Sequence, residues 1–98
     1  MTNSKFKTNV IDYITSTTKF TKDDVIEVNV STNGDWIEIT INGSTITFFY
    51  NGEVNANLNG KFSIETINAL KDVMESGEEL WKMFDKCFEE VNECLTNR

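Results

Sequence analysis

Histidine and proline are absent from this chain of 98 residues, and arginine occurs once, as Arg98. Without histidine the chain lacks the commonest general base, the usual partner of a Ser or Cys nucleophile and the commonest zinc ligand. Positive charge is scarce: 9 Lys and Arg face 16 Asp and Glu, for a net charge of -7. Phosphates need cations to neutralise them, so direct nucleic-acid binding is not expected. No segment approaches the ~18 consecutive apolar residues of a membrane span, and MTNSKFKTNV has no apolar stretch of the kind a secretory leader carries. There is no glycine-rich phosphate loop and no metal-ligand spacing, so no enzyme activity, cofactor or metal is expected.

Cysteine is limited to Cys87 and Cys94. In a helix this spacing separates the two by about 10.5 Å along the axis, whereas a disulfide needs Cα atoms within about 7 Å. Free thiols in a reducing cytoplasm, or a bridge between two chains, remain open.

What is present fits one domain over residues 1–98. A chain of this length buries roughly 60–65% of its unfolded surface, enough for one modest core. Its hydrophobic fraction of 39% and aromatic fraction of 11% are too high for a disordered acidic tail. Charge falls into three zones. Residues 1–22 carry a net +3, residues 23–60 carry six acids and no base, and residues 61–98 carry a net -4. A long stretch without Lys or Arg departs from the mixed signs of an ordinary surface.

The middle zone repeats Asn-Gly at 33–34, 42–43, 51–52 and 59–60. Asn-Gly between alternating apolar runs is a strong hairpin signal, because both residues tolerate the positive φ of a type I′ turn. Four antiparallel strands follow, at about 24–32, 35–41, 44–50 and 53–58. Two-residue turns at 33–34 and 42–43 set Val30 against Ile37, Val28 against Ile39, Ile26 against Ile41, Ile39 against Ile46 and Ile37 against Phe48. Every pair is apolar and on one face, which a one-residue slip would destroy. The other face carries Glu27, Asn29, Ser31, Trp36, Glu38, Thr40, Thr45, Thr47 and Phe49, with Trp36 directly opposite Phe49. A two-residue turn at 51–52 places Val54, Ala56 and Leu58 on the polar face and a three-residue turn places them on the core face; the sequence leaves both open.

Helices flank the meander. Residues 4–18 align Phe6, Val10, Tyr13 and Ile14, with Ser4 as N-cap. Residues 63–75 start at Ser63 and align Ile64, Ile67, Leu70 and Met74. Ser76 and Glu79 match a capping box. A last helix over 77–96 aligns Leu80, Phe84, Cys87, Phe88, Val91 and Leu95 against a charged face of Glu78, Glu79, Lys82, Asp85, Lys86, Glu89, Glu90 and Glu93. The expected fold is a two-layer α+β domain in the order α-β-β-β-(β)-α-α, with helices on one face of the sheet.

For a site, the acidic sheet face and the outer face of the last helix are the candidates: Glu27, Asp35, Trp36, Glu38 and Phe49 on the first, Glu89, Glu90 and Glu93 on the second. Carboxylates without nearby bases repel one another and suit a basic partner, and aromatics among them are typical binding anchors; the alternatives are acidity that serves solubility alone and a small apolar patch at Trp36 and Phe49 covered by an edge or helix. The condition is that the N-terminal lysines do not cover the sheet zone.

Many Asn, Ile and Lys and a single Arg are typical of A/T-rich coding. With that source, this acidity, this element order and a C-terminal acidic helix bearing Trp81, Phe84 and Phe88, the chain resembles the small anti-CRISPR proteins of phages and prophages. The resemblance rests on element order and charge, so it carries no site residue across. It implies an inhibitor that mimics DNA, placing carboxylates in the basic groove of a nucleic-acid-handling protein such as an RNA-guided nuclease. The alternative is an immunity or accessory protein that binds a toxin or another subunit. Whether the chain is a monomer or a dimer is open.

Overall fold

The computed structural model describes the backbone of residues 2–96 and the side chains of residues 4–87. The expected helix positions Phe88, Val91, Cys94 and Leu95 and the candidate acids Glu89, Glu90 and Glu93 lie outside the described side chains. The element order is α1 (Thr2–Thr17), β1 (Ile26–Val30), β2 (Trp36–Ile41), β3 (Ser44–Phe49), β4 (Val54–Asn57), α2 (Ile64–Met74) and α3 (Gly77–Thr96). The four strands form one antiparallel sheet in the order β1-β2-β3-β4. This is an α+β fold.

The register of the first three strands is the one the apolar alternation requires. Val28 pairs with Ile39, Val30 with Ile37 and Ile26 with Ile41; Ile39 pairs with Ile46, Ile37 with Phe48 and Trp36 with Phe49. The turns reach it by different routes. At 42–43 both residues have positive φ, 49° for Asn42 and 89° for Gly43, as a type I′ turn demands. At 33–34 only Gly34 has positive φ. There the ladder closes with the Ser31 amide on the Trp36 carbonyl (3.1 Å) and the Gly34 amide returns to the Ser31 carbonyl (3.2 Å). The connection is therefore a four-residue loop, Thr32 to Asp35, and not the expected two-residue turn. Both lengths are even, so the register is the same.

The third turn decides the face of β4. Phe49 donates to the Glu53 carbonyl at 2.9 Å, and Gly52 donates to the Phe49 carbonyl at 3.0 Å with φ 98°. Three residues thus span the turn, with glycine in the left-handed position. Phe48 then opposes Val54 and Ile46 opposes Ala56. Val54 and Ala56 share the core side of the sheet, yet all four residues of β4 are exposed.

One core cluster joins the inner sheet face to all three helices. It includes Phe6, Val10 and Ile14 from α1, Ile37, Ile39, Ile46 and Phe48 from the sheet, Leu70 and Val73 from α2, and Leu80 and Phe84 from α3. The one buried polar side chain in the described set, Ser44, accepts from the Asn59 amide at 2.9 Å. That bond ties the segment after β4 to the start of β3. The helix details depart from expectation in three places. Helix α1 begins at Thr2, so Ser4 lies inside it. In α2 the Ser63 cap is present, but Ile64 is 78% exposed and Ile67 is exposed as well. The buried positions Ala69, Leu70 and Val73 all lie in its last turns, where it joins the shared core. Ser76 does not cap α3: its hydroxyl donates to the Asp72 carbonyl at 2.8 Å. In the two-residue link it satisfies one of the orphan carbonyls ending α2.

Candidate functional site

The helices share one core on the inner face, and the outer face of the sheet carries the polar alternates. Trp36, Glu38, Thr40, Thr45, Thr47 and Phe49 are each half-buried there, and Glu27 is exposed. Trp36 and Phe49 are directly opposed, while Glu38 lies between Asn29 and Thr47 and Glu27 opposes Thr40. Glu27 and Glu38 are diagonal neighbours on adjacent strands, about 7–8 Å apart at most.

Two of the four N-terminal lysines, Lys19 and Lys22, are engaged away from this face. Lys22 pairs with Asp12 on α1 at 3.2 Å. Lys19 donates to the Thr66 hydroxyl of α2 at 2.6 Å, and its ammonium lies 5.9 Å from the Phe20 ring centroid. Helix α1 itself lies on the core side, through Phe6, Val10 and Ile14.

The acids of the zone over residues 23–60 are spread along the sheet, with Asp24 and Asp35 at its two ends. Asp24 is a structural carboxylate at the end where β1 begins. It accepts the Thr21 amide at 2.8 Å and the Asn42 side-chain amide at 3.2 Å. Asn42 in turn accepts the Val25 amide at 2.9 Å. Asp35 stands at the opposite end, roughly 20 Å away at the rise of an extended strand. There its amide donates to the Ser31 hydroxyl at 2.7 Å, and its carbonyl accepts from the Tyr50 amide at 2.9 Å. The acidic zone is thus not a single patch.

At the Asp35 end, β2, β3 and the first turns of α3 meet. Trp36 and Phe49 sit on the outer face, and Tyr50 turns toward α3. The Tyr50 ring stands edge-on to Trp81 with centroids 5.1 Å apart, and Trp81 stands likewise against Phe84, also at 5.1 Å. Tyr50 is 66% exposed. Two grooves flank it. One, of about 530 Å³, runs between Phe49, Val54 and Trp81 under a rim of Glu53, Glu78 and Asp85. The other, of about 450 Å³, lies between Asp35, Tyr50 and Phe84. Among the described lining residues the one base is Lys82, which is held by Glu78 at 3.5 Å and Glu79 at 3.8 Å. The Trp81 indole Nε1 is buried with no hydrogen-bond partner among the described residues. A buried donor left unpaired costs about 1–3 kcal/mol.

This arrangement offers π faces, exposed apolar edges and carboxylates in one place. Those are the elements that hold a guanidinium or ammonium group, by cation–π contact and charge-assisted hydrogen bonds. Sequence reasoning named Asp35, Trp36 and Phe49 as site residues, put Asp85 on the candidate face of the last helix and singled out Trp81 on that helix, but it missed Tyr50 and Glu53 and did not bring the helix and the sheet end together. The available signal was Trp81, an aromatic set among Glu78, Glu79, Lys82 and Asp85 on an otherwise charged helix flank. Among the described residues no three His, Cys, Asp or Glu side chains form a group able to hold a metal, and no helix is long and apolar enough to cross a membrane. Cys87 is a free, buried thiol.

Comparison of the chain with protein-family models, with curated proteins and with solved structures gives no match.

Proposed function

We propose that this chain is a small acidic binding protein that inhibits a basic, nucleic-acid-handling protein in the cytoplasm by occupying the surface that would hold DNA. The observation that supports it most is the aromatic end of the sheet. Tyr50 stands exposed between two grooves whose rims carry Asp35, Glu53, Glu78 and Asp85, with Lys82 already ion-paired. The rim carboxylates take the place of phosphates, and their field steers a cationic surface toward the site. The aromatic rings then hold Arg or Lys side chains once they arrive. The resemblance to anti-CRISPR proteins makes an RNA-guided nuclease the first target to try.

The test is capture of the partner on immobilised protein, followed by competition with duplex DNA. Inhibition by mimicry requires DNA and this chain to exclude each other. A captured partner that binds both at once, or one with no affinity for nucleic acid, overturns the reading. A toxin or a stable subunit as the captured partner would replace it with an immunity or accessory role.

A further inference from the structure

We infer that β4 is a self-association edge, through which two copies of this chain pair strand to strand and form one continuous eight-stranded sheet.

The ladder sets which backbone groups are free. Phe49 donates to the Glu53 carbonyl, while the Glu53 amide turns back to Asn51 Oδ1 at 3.0 Å; from there the ladder directs the amides and carbonyls of Asn55 and Asn57 at β3. In an antiparallel ladder these directions alternate. The amides and carbonyls of Val54 and Ala56 therefore point away from the sheet, along its open edge, and Leu58, just past β4, continues the alternation because the Asn59 amide turns back to Ser44 of β3 at 2.9 Å.

Natural edges are protected by Lys, Pro, a bulge or a covering element. Residues 54–60 read Val-Asn-Ala-Asn-Leu-Asn-Gly, with no charge and no proline. All of β4 is exposed, and Val54 and Leu58 are 44% and 38% exposed on the side that faces the helices. The opposite edge is different. Strand β1 carries Glu27, follows Asp23 and Asp24, and packs against α1.

The pattern of β4 also fits a second copy of itself. An antiparallel self-pair needs a strand that reads alike in both directions, and this one does so about Ala56. With the two-fold axis there, Ala56 meets its own copy, Val54 meets the partner's Leu58 on the helix side, and Asn55 meets the partner's Asn57 on the outer side. Apolar groups meet apolar groups and amides meet amides. Charge permits it as well. Each copy carries -7, so two must meet where charge is absent. Glu53 would face the partner's Asn59, which keeps the two Glu53 carboxylates roughly 20 Å apart along the strands. A ladder of this length buries less than the ~1,200 Å² of a standard stable interface, so the dimer depends on concentration.

Sedimentation equilibrium of the full chain from about 10 μM to about 1 mM tests it. The expected mass rises from 11.2 kDa toward twice that value, and rises further in high salt, which screens the repulsion between copies. An isotope-filtered NMR experiment on the unmodified chain should show contact between Val54 and Leu58 methyl groups. Within one extended strand these lie about 13 Å apart, so the contact can only be between copies. Ala56→Glu brings two like charges face to face at the axis and should weaken association at least tenfold; Ala56→Pro removes the central donor with the same result. A mass of one chain at the highest concentration in high salt overturns the inference. So does a dimer without the Val54–Leu58 contact, or one that Ala56→Glu leaves unchanged. None of these outcomes depends on the captured partner, so this inference and the proposed function fail separately.

Discussion

Asp24 differs from its acidic neighbours because its carboxylate is committed to the fold. The Thr21 amide and then the Asn42 side chain hold its pKa below the ordinary value of 3.8; slight burial opposes them, and Lys19 adds a smaller lowering. A carboxyl depressed in the folded state stabilises the fold above its ordinary pKa, and that contribution is lost as pH falls through the folded value. Asp24→Ala should therefore lower stability by about 1 kcal/mol near pH 6, on the scale of the hydrogen bonds it removes. The deficit relative to the unmodified chain should narrow as the pH drops below 3.8. Urea unfolding midpoints of both chains at pH 6 and at successively lower pH check this. A constant deficit would mean that Asp24 acts through packing and not through its charge. Its partner Asn42 explains why the second turn is so well determined. It takes positive φ and uses both ends of its side-chain amide, one on Val25 and one on Asp24.

Where α3 begins, the chain passes so close to β3 that a side chain on Gly77 would crowd the core. A Cβ there would lie 3.2 Å from the Phe48 Cδ1, so the buried Phe48 ring would have to give by a few tenths of an ångström. Replacing Gly by Ala inside a helix ordinarily gains up to about 1 kcal/mol, whereas overpacking costs about 1–3 kcal/mol. Gly77→Ala should thus destabilise the protein by about 1 kcal/mol. In a Phe48→Leu background, where the ring is gone, the same change should be neutral or favourable. A double-mutant cycle measured by thermal unfolding reads this coupling directly. Such close approaches are invisible in the sequence, whereas strand register was legible in it. Register depends on loop parity and on apolar alternation, and both survive even when the loop at 33–34 turns out to have four residues. The face of β4 was not legible, because it depends on whether the loop at 51–52 has two residues or three. The Gly52 conformation and the Glu53 bond to Phe49 settle that. The stripe of α2 was misjudged at Ile64 and Ile67, since helical spacing says which residues share a face but not how far the helix overlaps its sheet. The site was half legible for a related reason. Asp35, Trp36 and Phe49 belong to a hairpin whose pairing could be worked out, but Tyr50 and Trp81 come from the ends of separate elements, and only tertiary packing brings them together.

At the scale of the whole molecule the net charge of -7 steers any basic partner, whichever surface finally binds it. This makes simple charge reversal ambiguous, and the two ends of the sheet resolve the ambiguity. Asp35 and Glu53 are exposed at the aromatic end; Asp23 and Glu27 are exposed toward the other. Reversing either pair to Lys changes the net charge equally, and exposed substitutions of this kind usually alter stability by no more than ~0.5 kcal/mol. If charge acts only by steering, both variants should slow association alike, and the loss should shrink as salt rises. If the aromatic end is the site, Asp35→Lys with Glu53→Lys should in addition raise the dissociation rate at least tenfold, while Asp23→Lys with Glu27→Lys leaves it nearly unchanged. Tyr50→Ala should raise dissociation similarly without affecting association, because it removes an uncharged anchor. Surface-binding kinetics with the captured partner at low and high salt separate these cases. Equal dissociation rates for the two charge variants would move the interface off the aromatic end and toward the middle of the open sheet around Glu38.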